Sequence, residues 1–314
     1  MIDRAMVLTA GLGTRLRPLT DVRAKPAIPV GGEPMIRRIV RWLSSQGVID
    51  LVLNLHHRPD TLTAAVGDGS DLAARVRYSW EGPQVLGTAG GPRQALTMVG
   101  ADTFFVINGD TIAEMDLQRI ADAHADSGAL VTLGLVPNRD FHRYGGVQVN
   151  GRDRVTGFVG RGPSARGSWH FVGVQVAHAS VFAPLPGGVR LDSIGGVYNE
   201  LVQARPGSIQ AFRCDVQFWD VGTPADYWHT SRAFSARSGS AEGVTVGCDA
   251  VIDPSARIRD SILWDAVEVG ANACVEECIV TDGARVPAGV RYRRAIVTRR
   301  DGDPTAVTVS PLVK

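Results

Sequence analysis

Three five-residue units recur at a spacing of 17 near the end of the chain: Ser261-Ile262-Leu263-Trp264-Asp265, Cys278-Ile279-Val280-Thr281-Asp282 and Ala295-Ile296-Val297-Thr298-Arg299. Around them, aliphatic residues return about every six positions, at Val246, Ile252, Ile258, Val269, Val275 and Val286, and Gly247, Gly270 and Gly283 mark turns. A unit this short cannot enclose a core by itself and buries its aliphatics only by stacking on its neighbours. The spacing therefore predicts about three to four rungs of a left-handed parallel β-helix built from six-residue units. Ordinary antiparallel β structure is the competing reading. His229 is the last histidine, so the rungs cannot support histidine-dependent acyl transfer. Stacked rungs of this kind commonly carry oligomer contacts, and a homo-oligomer formed through the β-helix is expected.

The preceding part of the chain, from residue 5 to about residue 230, alternates strand-like with helical patterns. Strands are predicted at 6–8, 50–55, 74–80, 103–107, 130–136, 146–149, 154–159, 171–176 and 208–212. Helices are predicted at 35–46, at 60–66 with Asp60 as cap, at 92–98, 116–127 and 197–203, and from Thr223-Pro224 onward with Thr223 as cap. Residues 161–169 read as a mobile loop. This order predicts an α/β domain with a doubly wound, mostly parallel sheet and helices on both faces. A polar, small-residue stretch follows it, so the expected division is a catalytic domain over 1–234, a linker over 235–243 and the β-helix over 244–314.

Composition narrows the function classes. A net charge of +1 over 314 residues argues against a general nucleic-acid surface. No apolar run reaches the length of a membrane span, and the chain enters the strand-like Ala5-Met6-Val7-Leu8 without a signal-peptide layout. A cytoplasmic protein is expected. Of the four cysteines, Cys274 and Cys278 have C-x-x-x-C spacing but no second pair or histidine nearby. Buried free thiols are expected rather than a zinc site. His56 and His57 are adjacent on an extended segment and point to opposite faces, so they do not chelate together.

The chemistry concentrates in residues 8–30. The first strand runs into a glycine turn carrying Thr14 and Arg15, and ten residues after Arg15 comes Lys25, just before Pro26. Glycines let backbone N–H groups approach an anion, and two fixed cations suit the charge of a triphosphate. The turn is not a Walker loop, because Thr14-Arg15 follows Gly13. It is not a dinucleotide fingerprint either, because Leu16 stands where a third glycine is needed. For Lys25 a solvated surface lysine is the competing reading, although Pro26 and Pro29 argue for a fixed path.

Ala10, Gly11, Gly13, Thr14, Arg15, Leu16, Pro18, Leu19 and Thr20, then Ala24-Lys25-Pro26, resemble the signature of the sugar-1-phosphate nucleotidyltransferases, A-G-x-G-T-R-L-x-P-L-T followed by P-K-P. Ala24 replaces the first proline. The resemblance covers most of the chain and is closest to the mannose-1-phosphate guanylyltransferase-like members. It implies a Rossmann-like nucleotide-diphospho-sugar transferase domain. It also implies an Mg²⁺-dependent enzyme for nucleotide-sugar biosynthesis that takes an NTP and a sugar 1-phosphate and releases pyrophosphate.

Site residues follow from the same resemblance. Asp110, at the end of a buried strand, and Asp220, in Phe218-Trp219-Asp220-Val221-Gly222-Thr223-Pro224, would hold Mg²⁺. A loop-capping aspartate is the competing reading of Asp110. Arg15 would stabilise the triphosphate and the leaving pyrophosphate, and Lys25 would bridge the α-phosphate and the sugar phosphate. Nucleotide contacts are expected at Leu8, Ala10, Gly11, Gly13, Thr14 and Arg15, and at Gln84, Gly87 and Thr88 in a second segment that presses on the base. Its Leu-Gly-Thr-Ala-Gly core is similar to that of guanylyl- and some uridylyltransferases, which favours GTP over UTP.

Sugar-phosphate contacts are expected at Lys25, Gly146, Arg161, Val172, Gly173 and Asp192, with Glu200 competing for the place of Asp192. Arg161 stands in for the lysine of an E-K-P motif whose glutamate is absent, and Phe171 replaces the asparagine of N-A-G-[IL]. The expected pair is GTP and mannose 1-phosphate. The alternatives are a uridylyltransferase acting on another hexose or amino-sugar 1-phosphate, and a non-catalytic regulatory subunit of the same fold.

Overall fold

The computed structural model describes residues 2–237, 243–300 and 302–312. They cluster into two compact units. One comprises Met1–Gly11, Arg37–Pro59 and Val66–Trp219; the other comprises Leu12–Ile36, Asp60–Ala65 and Asp220–Lys314.

The first unit is built on a nine-stranded sheet. Arg4–Leu8 lies between Thr103–Asn108 and Asp50–Leu55, and Arg75–Trp80 forms the edge beyond; all of these pairings are parallel. Phe104, Phe105, Val106 and Ile107 are all buried, as expected of a strand covered on both faces. The chain then reverses its habit. Trp169–His178 joins Thr103–Asn108 antiparallel and also pairs antiparallel with Val131–Pro137. Gly146–Val149 and Val155–Val159 add an antiparallel hairpin, and Ile209–Arg213 returns parallel to Val131–Pro137. The central strands are parallel as expected, and the antiparallel neighbours in the second half follow from the short links 138–145, 150–154 and 160–168, which are too short for crossover helices.

Helix Gly87–Val99 packs on strands Arg4–Leu8 and Asp50–Leu55. It begins five residues before the expected start at Pro92. Gly90, Gly91 and Pro92 read as breakers in sequence, yet close packing of the first turn keeps them helical. Helix Pro59–Val66 places Asp60 in its first turn rather than at the cap. Asp116 caps Leu117–Ser127 by accepting from Arg119 N at 3.1 Å. In the expected mobile loop, Pro163–Ala165 forms a helical turn with Ala165 buried. Among the described residues no helix is long and apolar enough to cross a membrane.

The second unit contains the rungs. Thr245, Ile262, Ile279 and Ile296 pair in parallel succession, so neighbouring strands are 17 residues apart, as the repeat predicts. Two further parallel sheets complete the three-sided left-handed β-helix. Leu263, Val269, Val275, Cys278, Val280, Val286 and Val297 fill its interior. Asp249 and Ala266, and likewise Asp260, Glu277 and Arg294, take positive φ at equivalent positions of successive rungs. The first rung is less covered: Val251 is 65% exposed. Asp303–Pro311 closes the last rung by pairing antiparallel with Ala295–Arg300. All four cysteines are free, but only Cys278 is buried, and Cys248 is exposed.

Helix Pro224–Arg237 carries Ser235, Ala236 and Arg237, three residues expected in the linker. Their helical state follows from packing: Ser235 is buried and its hydroxyl donates to Ser231 O at 2.9 Å. Residues 238–242 of the expected linker lie outside the described residues. Thr223 caps this helix as predicted, accepting from Asp226 N at 3.2 Å.

The same unit holds residues 12–36 against the helix and the rungs. Tyr227, fully buried, donates its hydroxyl to Pro29 O at 2.6 Å and accepts from Trp264 Nε1 at 2.9 Å. Arg23 reaches both Asp282 oxygens at 2.6 Å through Nε and Nη2, and Asp265 Oδ2 at 2.5 Å. The Arg23 side chain is 15% exposed, and its guanidinium lies 5.4 Å from the centroid of the Trp264 ring. The paired carboxylates hold the guanidinium in its charged form, above its ordinary pKa, against the opposing effect of burial.

Two outcomes follow. Arg23→Met leaves Asp265 and Asp282 facing each other without their cation and should lower stability by about 1–3 kcal/mol in thermal or urea unfolding. Arg23→Lys should restore only part of the loss, because an ammonium cannot reproduce the fork. His124 is buried with its Nδ1 at 2.9 Å from Thr132 Oγ1, and burial first, then nearby His178, holds its pKa below the ordinary value. The unfolded chain therefore takes up this proton first, so stability should fall as pH drops below about 6.5. His124→Gln should flatten that slope in melting curves taken from pH 8 to pH 5.

Candidate functional site

The glycine turn is where the chain passes from one unit to the other, between Gly11 and Leu12. In the second unit, Gly13 sits at φ 59° with its O accepting from Thr20 Oγ1 at 3.0 Å and from Leu16 N at 2.9 Å. A Cβ on Gly13 would lie 2.7 Å from Thr20 Cγ2 and 3.2 Å from Lys25 Cβ, so the turn is pressed against the lysine stem. Thr14 and Arg15 form an exposed helical turn anchored by buried Leu16 and Leu19. Lys25 is only 8% exposed, which excludes the solvated-surface reading. Thr61 Oγ1 accepts from Ala24 N at 2.9 Å and pins the residue before it.

Asp220 is half-buried at the start of this unit's last segment. Asp226, which sequence reasoning did not single out, stands near it: a Cβ on Gly222 would lie 3.2 Å from a carboxylate oxygen of each. Asp226 is also tied to the helix cap, accepting from Thr223 Oγ1 at 2.8 Å.

In the first unit, the expected residues gather at the carboxyl ends of the central strands, where an open α/β sheet binds its ligands. Leu8 ends its strand, Ala10 is buried and Gly11 is exposed. Asp110 follows Thr103–Asn108 and Gly109, whose N–H donates to Leu8 O at 2.9 Å. The Asp110 carboxyl is half-buried and lies 3.4 Å from Thr111 Oγ1. Gly173 is at φ 79°, and a Cβ there would lie 2.7 Å from Asn108 Cβ. A bulge in the pairing between Phe171 and Gln175 lets Val172 and Gly173 crowd the strand end that carries Asp110.

The second nucleotide segment is helical rather than an open turn. Gln84 is exposed ahead of it, and Gly87 and Thr88 start the helix. Ala89 N and Gly90 N both donate to Leu191 O, at 2.8 and 3.1 Å. Thr88 Oγ1 accepts from Ser193 N at 2.8 Å, and Thr88 N donates to Asp192 Oδ1 at 3.4 Å. The structure thus brings Asp192, expected at the sugar, beside Thr88, expected at the base. Asp192 is exposed and also approaches Arg190 at 3.8 Å. Glu200 lies exposed in helix Tyr198–Ala204.

Gly146 is buried, and Arg161 is exposed just before Gly162, whose N–H donates to Phe141 O at 2.7 Å. Near them, Tyr144 and His170 have ring centroids 4.2 Å apart, and His170 and Phe218 have centroids 5.1 Å apart. These rings line a cavity of about 230 Å³ with Asn138, Asp140 and Asp215. Asn138 Oδ1 is buried there and has no hydrogen-bond partner among the described residues. Sequence reasoning named neither Asn138 nor His170. The position of His170, two residues before Val172 on the same strand, was the available signal.

Asp110 in the first unit and Asp220 in the second each offer hard carboxylate oxygens, the kind of ligand Mg²⁺ takes. Among the described residues no group of three or more His, Cys, Asp or Glu could hold a metal ion.

Comparison with known proteins extends this picture. The nucleotidyl transferase family model matches residues 4–237, and the model for a GlmU-like, C-terminal hexapeptide matches residues 224–308. The mannose-1-phosphate guanylyltransferase of Mycobacterium tuberculosis is 29% identical over 299 residues, 92% of this chain and 83% of that one. The N-acetylmuramate α-1-phosphate uridylyltransferase of Neisseria meningitidis is 40% identical over 113 residues, 36% of this chain and 49% of that one. The crystal structure of HddC from Yersinia pseudotuberculosis complexed with GMP-PN matches with a TM-score of 0.63 at 25% identity, over 74% of this chain and 100% of that one.

Gly173→Ala should push Asn108, and with it the strand end bearing Asp110, out of place. Turnover, measured at a temperature where the variant remains folded, should fall about tenfold or more, as misplacing a reacting group by about 1 Å costs up to about a hundredfold. Unchanged turnover would show that this close approach does not position Asp110.

Proposed function

The chain belongs to the nucleotidyl transferase family, and from that premise we propose that it joins the nucleoside monophosphate of an NTP to a sugar 1-phosphate. The proposed pair is GTP and mannose 1-phosphate. The observation that carries the reading is Lys25, a cation with 8% exposure held directly against the glycine turn at Gly13. A lysine so fixed suits an anion that is handled at one place. One relative matched over most of both chains is a mannose-1-phosphate guanylyltransferase, which favours the guanylyl pair.

In this reading an oxygen of the sugar phosphate attacks the α-phosphorus in line. A new P–O bond forms as the bond to the β-phosphate breaks, and pyrophosphate leaves with the electron pair. The sugar phosphate is already an anionic nucleophile, so no general base is needed and the task is electrostatic. Arg15 holds the triphosphate and the charge growing on the leaving group. Lys25 draws the α-phosphate and the sugar phosphate together. Asp110 and Asp220 would hold Mg²⁺, which when bound supplies positive charge to the phosphate oxygens. Leu8, Ala10, Gly11, Gly13 and Thr14 line the nucleotide, with Gln84, Gly87 and Thr88 on its base. Gly146, Arg161, Val172, Gly173 and Asp192 serve the sugar phosphate. The proposal extends to a cytoplasmic enzyme that assembles as a homo-oligomer through the β-helix.

A second reading, uridylyl transfer to an amino-sugar 1-phosphate, is favoured by the 40% identity with the Neisseria uridylyltransferase over 113 residues.

Pyrophosphate release with Mg²⁺, across GTP, UTP, dTTP, CTP and ATP and several sugar 1-phosphates, separates these readings. GTP with mannose 1-phosphate should give the highest kcat/KM. Preference for UTP with an amino-sugar 1-phosphate would select the second reading. Silence across the grid with nucleotide still bound would point to a non-catalytic subunit. Asp110→Asn and Asp220→Asn should each lower kcat by about a hundredfold or more without unfolding the chain.

A further inference from the structure

Glu81 is a carboxylate with 4% exposure just beyond strand Arg75–Trp80. No ion pair reaches it among the described residues; amide groups hold it instead. Its Oε1 accepts from Asn54 Nδ2 at 2.6 Å, and its Oε2 accepts from Leu86 N at 2.7 Å. Asn54, itself 3% exposed, passes the connection on: its Oδ1 accepts from Thr9 N at 2.6 Å, and its backbone O accepts from Thr9 Oγ1 at 2.5 Å. A Cβ on Gly91 would lie 2.7 Å from Glu81 Oε1 and 3.0 Å from Asn54 Nδ2, so the first turns of helix Gly87–Val99 press on the same chain of bonds.

The two ends of this chain have a common character. Thr9 lies between Leu8 and Ala10, and Leu86 immediately precedes Gly87 and Thr88. Those are the two segments assigned to the nucleotide, the second of them to its base. A buried carboxylate without a cation costs more than a packed apolar side chain would. What it provides is two strong acceptor sites at a fixed separation. We propose that Glu81, acting through Asn54, is a positioning residue. It sets the distance between the Leu8–Ala10 turn and the Leu86–Thr88 turn, and so governs which nucleotide base is held and how tightly. This inference rests on the nucleotidyl transfer reading above.

The bond polarities define a sharp test. In Glu81→Gln one amide N–H₂ must face either Asn54 Nδ2 or Leu86 N, and one bond is lost. In the double variant Asn54→Asp with Glu81→Gln, every bond returns. Oxygens of Asp at 54 accept from Thr9 N and from the Gln amide, whose oxygen accepts from Leu86 N. KM for GTP and for UTP, KM for mannose 1-phosphate and kcat are measured on the full chain, alongside calorimetric binding of GTP and UTP.

Glu81→Gln should raise the nucleotide KM about tenfold, the worth of one charge-assisted hydrogen bond. It should leave the sugar-phosphate KM and kcat within about threefold. The GTP-to-UTP preference should shift, and the double variant should return these values toward wild type. A purely structural role would lower the melting temperature without splitting the two KM values. If Glu81→Gln does not fold, Glu81→Asp keeps the charge, shortens the reach by one methylene and should show the same raised nucleotide KM. An unchanged nucleotide KM in a folded single variant, or a double variant no better than the single one, overturns the proposal. A wild-type chain that binds neither GTP nor UTP overturns the nucleotide reading itself, and this inference with it.

Discussion

The guanidinium of Arg23 gathers two carboxylates that the 17-residue repeat has stacked one above the other. Asp265 and Asp282 occupy the same corner of successive rungs, and Asp282 Oδ1 also accepts from Asp265 N at 3.1 Å. Like charges brought that close need a cation, and a planar fork with several donors satisfies both at once. The partner is drawn from residues 12–36 of the same unit, two positions before Lys25. The rungs help hold the segment that bears Arg15 and Lys25. Tyr227 and Trp264 close the same contact from the buried side.

The other unit solves a different problem. Its central strands are apolar on both faces, so their polar ends must be organised by specific bonds. Asn54 and Glu81 do this beside the first turn, and the bulge around Gly173 does it beside Asp110. Helix Gly87–Val99 carries Gly87, Gly90 and Gly91 in its first turns because Leu191 O, Val189 O and the carboxylate of Glu81 lie too close for larger side chains. Local helix propensity is overridden there by tertiary contact.

Much of the fold was legible because its signals are periodic. The strand at 50–55 is a mostly aliphatic run, broken only by Asp50 and Asn54, and the structure reproduces its bounds. The repeat at 17 sets the rung register, with Ile262 paired to Ile279 and Leu263 to Val280. The early start of helix Gly87–Val99 was not legible, because Gly90-Gly91-Pro92 is ordinarily punctuation. The antiparallel turn of the sheet after Asn108 was hidden as well, since strand patterns do not carry direction. The site divides in the same way. The glycine turn, Lys25 and Asp110 stand in a linear motif and could be read. Glu81, Asn54, Asn138 and His170 belong to no run, and only folding shows what they meet.

By itself, the sequence determined which residue types are available for handling a triphosphate, and the stacking of a parallel β-helix, because both are written as short-range spacings along the chain. Only the tertiary structure decided that Lys25 is buried, that Arg23 is matched to Asp265 and Asp282, that Asp192 lies beside Thr88, and that a carboxylate at 81 connects two distant turns. Each of these depends on contacts between residues far apart in the chain, where burial and hydrogen-bond geometry, rather than spacing, select the partner.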